Sequence, residues 1–352
     1  VDDAQIERHP MVRAAADLAE NLLAPQAAAV DAGQVPRSHL DALAAAGLFG
    51  ISAPARVGGS ALPAPVVRRI AEILAGADAA TWLVHAQHHT PVRVLAESGS
   101  HDTLLADLAA GRTVAGIAFS HLRRWPHRPV TATRTAAGWR LDGTAPWYSG
   151  WGLNDVALVF GASAGAEVVA GLVEARPSAH LRPSAPLRLA ALGSTSTVRL
   201  SLDGLVIPDG DLVAVQPYPR WRAADRGPSV NPSPAVFGIA ATALRLLGER
   251  AGEPAAGQAA ARIGEQLAAV RAEAYRLIDE EGPGEQVERR LELRSRAHLL
   301  MIQATSALVV ACAGGGMSME APAQRLAREA MFMLIQAQTA EARTAALQAW
   351  GR

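Results

Sequence analysis

The stretch Gly138-Trp139-Arg140-Leu141-Asp142-Gly143-Thr144-Ala145-Pro146-Trp147-Tyr148-Ser149 decides how the chain is read. It reads as a short strand, a tight Asp142-Gly143 turn, and a second strand ending in Trp-x-Ser. Residues two apart on a strand share a face, so Trp147 and Ser149 address one ligand together. An indole supplies a flat apolar wall and a hydroxyl supplies a hydrogen bond, which together suit a flat heteroaromatic ring. A Trp beside an Asp-Gly hairpin is also ordinary core, so the flanking sequence has to choose between the two readings.

Short apolar or alternating runs with turn signals between them surround this stretch, at 114–120, 130–134, 155–160, 168–173 and 198–207. They predict a small β-barrel or sandwich. Before them the chain reads as helices, among them 66–74 and 80–98. After them it reads as helices at 234–250, 256–281, 285–313 and 320–349, with 227–234 as an irregular loop. The expected architecture is α+β, with an N-terminal helical domain (1–113), a middle β-domain (114–215) and a C-terminal helical bundle (216–352). The two helical parts are expected to pack together across the inserted β-domain.

Composition narrows the function. Half of the 352 residues are hydrophobic and the formal net charge is zero, which leaves no footprint for nucleic acid or an anionic membrane. Every basic residue is Arg, so Schiff-base lysine chemistry and a phosphate-loop lysine are excluded. Cys312 is the single cysteine, which forbids an intrachain disulfide and argues against a Cys-based zinc site; no metal is expected. No signal peptide and no long uninterrupted apolar run is read, so a cytoplasmic protein is expected.

The order of helices, strands and helices resembles the acyl-CoA dehydrogenase family, and local motifs follow in register. The Trp147-Tyr148-Ser149 segment resembles the family's Trp-x-[Ser/Thr] signature, with Ala145 where the family has Lys. Gly47-Leu48-Phe49-Gly50-Ile51 through Pro54 to Gly58-Gly59 resembles its N-terminal motif, with Glu72 in the next helix. Phe119-Ser120 lies where the family carries the Thr that touches flavin, but Arg123-Arg124-Trp125 replaces the usual Gly-Ser-Asp. Gly314-Gly315-Gly316 with Pro322, Arg325, Arg328 and Thr339 resembles the C-terminal pattern.

The resemblance implies FAD, with FMN or reduced flavin as alternatives, lying between the β-domain and the C-terminal helices. Phe119, Ser120, Trp147 and Ser149 would bind the ring. Gly314 and Gly315 would let backbone approach a phosphate or ribose, or else mark a helix close approach or cap. A small substrate is implied, an acyl thioester such as acyl-CoA, together with a homodimer or homotetramer; a heteromer is the alternative.

The departures concern chemistry. The family removes an α-proton with a Glu near the C-terminus, and aligning Thr339 puts Ala337 at that position. Asp225 is one candidate for a relocated base, against a solvated Asp paired with Arg222 or Arg226. Glu341 reads as structural. His85 and His89 have a metal-pair spacing without the accompanying Glu, so packed histidines are the plain reading. In the family's monooxygenase relatives a His from this region faces flavin, which makes His88 and His89 candidates. The family's Arg-x-x-Phe-Gly, which holds the FAD diphosphate, is missing around 247–254. Three functions stay open on this basis: a flavin dehydrogenase of acyl thioesters, a monooxygenase using reduced flavin and oxygen, and a non-catalytic subunit of a heteromeric dehydrogenase.

Overall fold

The computed structural model describes residues 3–250 and 253–351; Ala251 and Gly252 of the segment lacking the diphosphate motif lie outside them. Helices α1 (Asp3–Arg8), α2 (Pro10–Leu18), α3 (Ala24–Ala32), α4 (Arg37–Ala45), α5 (Ala64–Ala77), α6 (Ala79–Ser98) and α7 (Asp102–Ala109) come first. Capping explains the sharp border between α5 and α6. Asp78 Oδ1 accepts the Ala80 N–H at 3.0 Å, and α6 ends at Gly99 in the left-handed region.

The strands follow: β1 (Ala115–Ala118), β2 (Val130–Thr135), β3 (Gly138–Tyr148), β4 (Val156–Ala162), β5 (Glu167–Glu174), β6 (Leu181–Pro183), β7 (Val198–Ile207) and β8 (Leu212–Pro217). They form one eight-stranded sheet in the order β6-β7-β3-β2-β4-β5-β8, with β1 parallel to β4. The sheet curls until its two halves touch, since a Cβ on Gly171 of β5 would fall 2.2 Å from Ile207 of β7.

Then come α8 (Tyr218–Val230), α9 (Pro234–Gly248), α10 (Pro254–Glu280), α11 (Val287–Cys312), α12 (Pro322–Met333) and α13 (Ala340–Trp350). The helical parts do pack on one another. A Cβ on Gly238 of α9 would lie 2.0 Å from the Glu72 carbonyl oxygen of α5, so glycine sets that approach. One apolar cluster runs through both parts, including Phe49, Leu74, Val236, Ile239, Met301 and Leu326. Glu72, 3% exposed, binds α5 to α10 through Arg271 (2.6 Å) and the Tyr275 hydroxyl (2.6 Å).

Four local expectations change. Asp142-Gly143 is no turn, because β3 runs unbroken from Gly138 to Tyr148 and the hairpin closes between β2 and β3 at residues 135–138. Gly143 instead sits at a register shift against β7 with φ +131, where Asp142 Oδ1 accepts the Gly204 N–H at 2.8 Å. Residues 227–230 belong to α8, helped by the Asn231 side chain donating to the Gly227 carbonyl at 2.8 Å. The long last helix is two, α12 and α13, and the segment between them passes through the site described below. Finally, Val287–Met317 is by length and composition apolar enough to cross a membrane, where no such run was expected. In the fold α11 packs against α9, α10 and α12 with Leu300, Met301 and Leu308 buried.

Candidate active site

Two clefts meet at the segment between α12 and α13. The first, of about 670 Å³, is walled by Phe119 and Ser120 after β1, by Trp147 and Ser149 at the end of β3, and by Ala337 and Thr339. The second, of about 880 Å³, lies between α5, α8 and α11, and shares only Gln336 and Ala337 with the first. Both volumes suit small-molecule ligands. Ala337 has φ +52, a left-handed conformation that costs a residue with a Cβ about 1–2 kcal/mol. Thr339 stops the segment by capping α13, its Oγ1 accepting the Ala342 N–H at 3.1 Å.

The alternation of β3 places Trp147 and Ser149 on the cleft side while Tyr148 between them is buried. Trp147 is 39% exposed, an indole face left without a cover. Ser149 is held by a chain of hydroxyls with one allowed polarity. Thr195 Oγ1 lies 2.7 Å from the Leu192 carbonyl, which can only accept, so Thr195 donates there. Thr197 Oγ1, 2.9 Å from Thr195, must therefore donate to it, and Ser149, 2.7 Å from Thr197, must donate in turn. The Ser149 hydroxyl faces the cleft as an acceptor.

Arginines furnish the charge of the first cleft. Arg123 lies over the Phe119 ring at 5.2 Å and makes a two-pronged pair with Asp225 at 2.7 and 2.8 Å. Arg124 and Arg343 also line the cleft, are exposed, and have no carboxylate partner among the described residues. No Asp, Glu or His lines it among those residues. An open indole, hydroxyls and unpaired guanidiniums fit a flat heteroaromatic ring with an anionic tail.

The second cleft is mostly apolar, with Leu62, Val67 and Pro234 beside Arg68, Arg93, Arg290 and Arg294; Glu281 is its one acid among the described residues. Arg294, 4% exposed, donates to the Asn231 carbonyl at 2.9 Å and to the Gln336 carbonyl at 2.8 Å, so it fixes both walls at the junction. Burial, and then the nearby Arg123, lower its pKa to about 10, and it remains cationic at neutral pH.

The other sequence candidates lie elsewhere. Asp225 is bound to Arg123, not to Arg222 or Arg226, so it is not a free base facing either cleft. Glu341 takes Arg226 instead, at 2.6 and 3.1 Å. His88 is fully buried, its Nδ1 accepting the Ala115 N–H at 3.1 Å, and His85 Nε2 lies 3.0 Å from the Leu48 carbonyl. His89 Nε2 lies 3.1 Å from His85 Nε2. Burial lowers the pKa of His85 to about 4 and of His88 to about 3, and holds His89 well below its ordinary value. None of the three lines a cleft. Gly314 and Gly315 sit in the turn after α11, away from both clefts, and a Cβ on either would meet nothing within 4 Å. Among the described residues no group of three or more His, Cys, Asp or Glu is placed to hold a metal. Thr197 and Arg294 carry no motif that singles them out in the sequence. The setting of Arg294 gives no signal either, since it stands in a charged run with Arg289, Arg290, Glu292 and Arg296.

Comparisons agree with this architecture. Residues 6–112 match the family described as acyl-CoA dehydrogenase, N-terminal domain. Butyryl-CoA dehydrogenase from Megasphaera elsdenii superposes over 100% of this chain and 99% of that one, at 18% identity and a TM-score of 0.82. A glutaryl-coenzyme A dehydrogenase in complex with glutaryl-CoA covers 100% and 96%, at 16% identity and 0.83. Dibenzothiophene monooxygenase TdsC from Paenibacillus sp. A11-2 covers 96% and 96%, at 20% identity and 0.78. No curated protein matches the chain by sequence. Residues 6–112 are thus similar to that family's N-terminal domain, and the whole chain shares the acyl-CoA dehydrogenase fold.

Proposed function

We propose that the protein binds a flavin in the first cleft and uses it in reduced form, with oxygen, to oxygenate a small molecule held in the second. The observation that carries this reading is the one-way hydroxyl chain from Ser149 to the Leu192 carbonyl. It makes Ser149 an acceptor, and reduction adds N–H donors to a flavin ring. A ring nitrogen that is unprotonated in the oxidised flavin would leave two acceptors opposed at Ser149; once protonated by reduction it would complete the hydrogen bond. Bound reduced flavin supplies the electrons that activate oxygen. The chain's own part is to stack the ring on Trp147, accept its N–H at Ser149, meet its anionic tail with Arg124 and Arg343, and seat the substrate across Ala337. The absence of an acid at the junction supports the same choice. Removing an α-proton from a thioester needs a base within hydrogen-bond reach, and alanine cannot act as one. TdsC, which shares the fold, has been solved with FMN and indole.

The test is to titrate the purified chain with FAD and FMN, each oxidised and anaerobically reduced, by absorbance and calorimetry. Reduced flavin is expected to bind at least about tenfold tighter, a difference of about 1.4 kcal/mol. Thr195→Val, which cuts the chain of hydroxyls, is expected to erase that preference. Oxidised flavin binding as tightly as reduced would sink the reading.

One observation favours a second reading, a subunit of a heteromeric flavin dehydrogenase whose partner brings the base. Val310, Met317, Met319, Met331, Leu347 and Trp350 of the C-terminal helices and their connecting turn are 50–78% exposed, an apolar display suited to another chain. Bleaching of bound flavin by an acyl thioester only when a second chain is present would favour this reading.

A further inference from the structure

The second cleft carries more positive charge than its fold needs, and the surplus bears on what enters it. Arg68 is paired with Asp279 at 2.5 Å, yet its Nε is buried without a partner. Arg290 spends its donors on the Leu277, Glu281, Gly282 and Glu285 carbonyls and on Asn231 Oδ1, capping the end of α10. Arg294 meets only carbonyl dipoles, and Arg93 is exposed at the cleft with Thr90 Oγ1 as its polar contact. Against these guanidiniums the lining offers, among the described residues, the single carboxylate of Glu281.

A buried charge without a counter-ion is costly, and proteins normally pair it. Arg294 is such a charge, it lies in the cleft wall, and it stands where the cleft meets Ala337. A low-dielectric cavity also focuses the field of its charges and concentrates ligands of opposite sign. The remaining walls, Leu62, Val67, Ile278 and several prolines, demand an apolar body.

We infer that the substrate of this cleft is an amphiphilic anion, an apolar body bearing a carboxylate or similar oxyanion, selected by Arg294 and Arg93. The inference rests on reading the second cleft as the substrate cleft, but not on flavin being bound. Guanidinium groups meet a carboxylate with paired N–H donors, which a neutral amide of the same shape cannot reciprocate.

The experiment compares hexanoate with hexanamide, a pair matched in length, by calorimetry on the flavin-free protein. Hexanoate is expected to bind at least about tenfold tighter, with the preference shrinking as salt is raised. Arg294→Gln is expected to remove most of the preference and Arg93→Gln part of it. Arg93 is exposed, so its variant reads the effect even where the buried substitution harms folding. Equal binding of acid and amide, no measurable binding of hexanoate, or an unchanged preference in both folded variants would overturn the inference. Flavin titration of the same samples separates the readings. Lost flavin selectivity with a retained acid preference breaks the flavin reading alone, and the converse breaks only this one.

Discussion

The histidines of α6 and the cleft wall around Trp147 both hold side chains of reactive type, and they are built in opposite ways. His85 and His88 are turned inward around Phe49, with ring centroids 5.2 and 4.7 Å from it, and each has a backbone group as partner. Trp147 and Ser149 are turned outward, one with an uncovered face and the other with its proton committed behind it. Residue type is therefore a poor guide to a site. Interior groups sealed from water hold the fold even where, as at His88 Nε2, one ring nitrogen finds no partner, and groups left open on one side wait for a ligand.

The largest expected effect tests the interior half. His85 and His88 have folded pKa values of about 4 and about 3, below the ordinary 6.5. The unfolded chain therefore binds more protons between those values and pH 6.5. The stability from keeping them neutral is complete above pH 6.5 and is lost as pH falls towards 4. Denaturant titrations across that window should show a loss of several kcal/mol, on the order of 1.4 kcal/mol for each tenfold difference in proton affinity between the folded and unfolded chain. The buried Glu329, raised to about 7, offsets part of this loss, so the cluster's share is read against the same titration of His88→Ala; identical profiles would mean that the cluster is not sealed.

Next in size, His88→Ala should cost about 3 kcal/mol, through a cavity and an unpaired Ala115 N–H, while leaving flavin affinity within twofold (about 0.4 kcal/mol) of the parent. A large loss of flavin affinity in a stable variant would reverse the contrast. Trp147→Ala should do the opposite. Flavin affinity should fall by about 1–3 kcal/mol, as for other ring-on-aromatic stacking, with stability changed by no more than about 0.5 kcal/mol. The smallest effect concerns the junction between the clefts. Ala337→Gly relieves a left-handed alanine at some cost in chain entropy, so a gain of about 0.5–1 kcal/mol is expected in thermal unfolding.

Much of the fold was legible because periodicity and punctuation are local. The helix at 80–98 reads as one apolar stretch and folds as Ala79–Ser98, and the strand runs alternated or were apolar throughout. The errors fell where a distant contact overrode a local signal. Asp142-Gly143 carries a strong short turn signal, yet β2 and β7 on either side of β3 keep it extended, with Asp142 bonded to Gly204. The break between α12 and α13 has no Gly or Pro to announce it. It is held by Arg294, which is more than forty residues away along the chain and reaches the Gln336 carbonyl.

Residue order alone settles the succession of helices, sheet and helices, the pairing of Trp147 with Ser149 on one strand face, and the alanine where a base would be expected. Those are matters of composition, period and residue identity, which neighbours in the chain fix. Packing across the fold was needed to settle that Asp225 belongs to Arg123, that the histidines are sealed, that Ser149 can only accept, and that two clefts meet at Ala337. Each of these depends on which partner a polar group finds far along the chain, and burial makes that choice because a polar group removed from water must bond to whatever the packing brings to it.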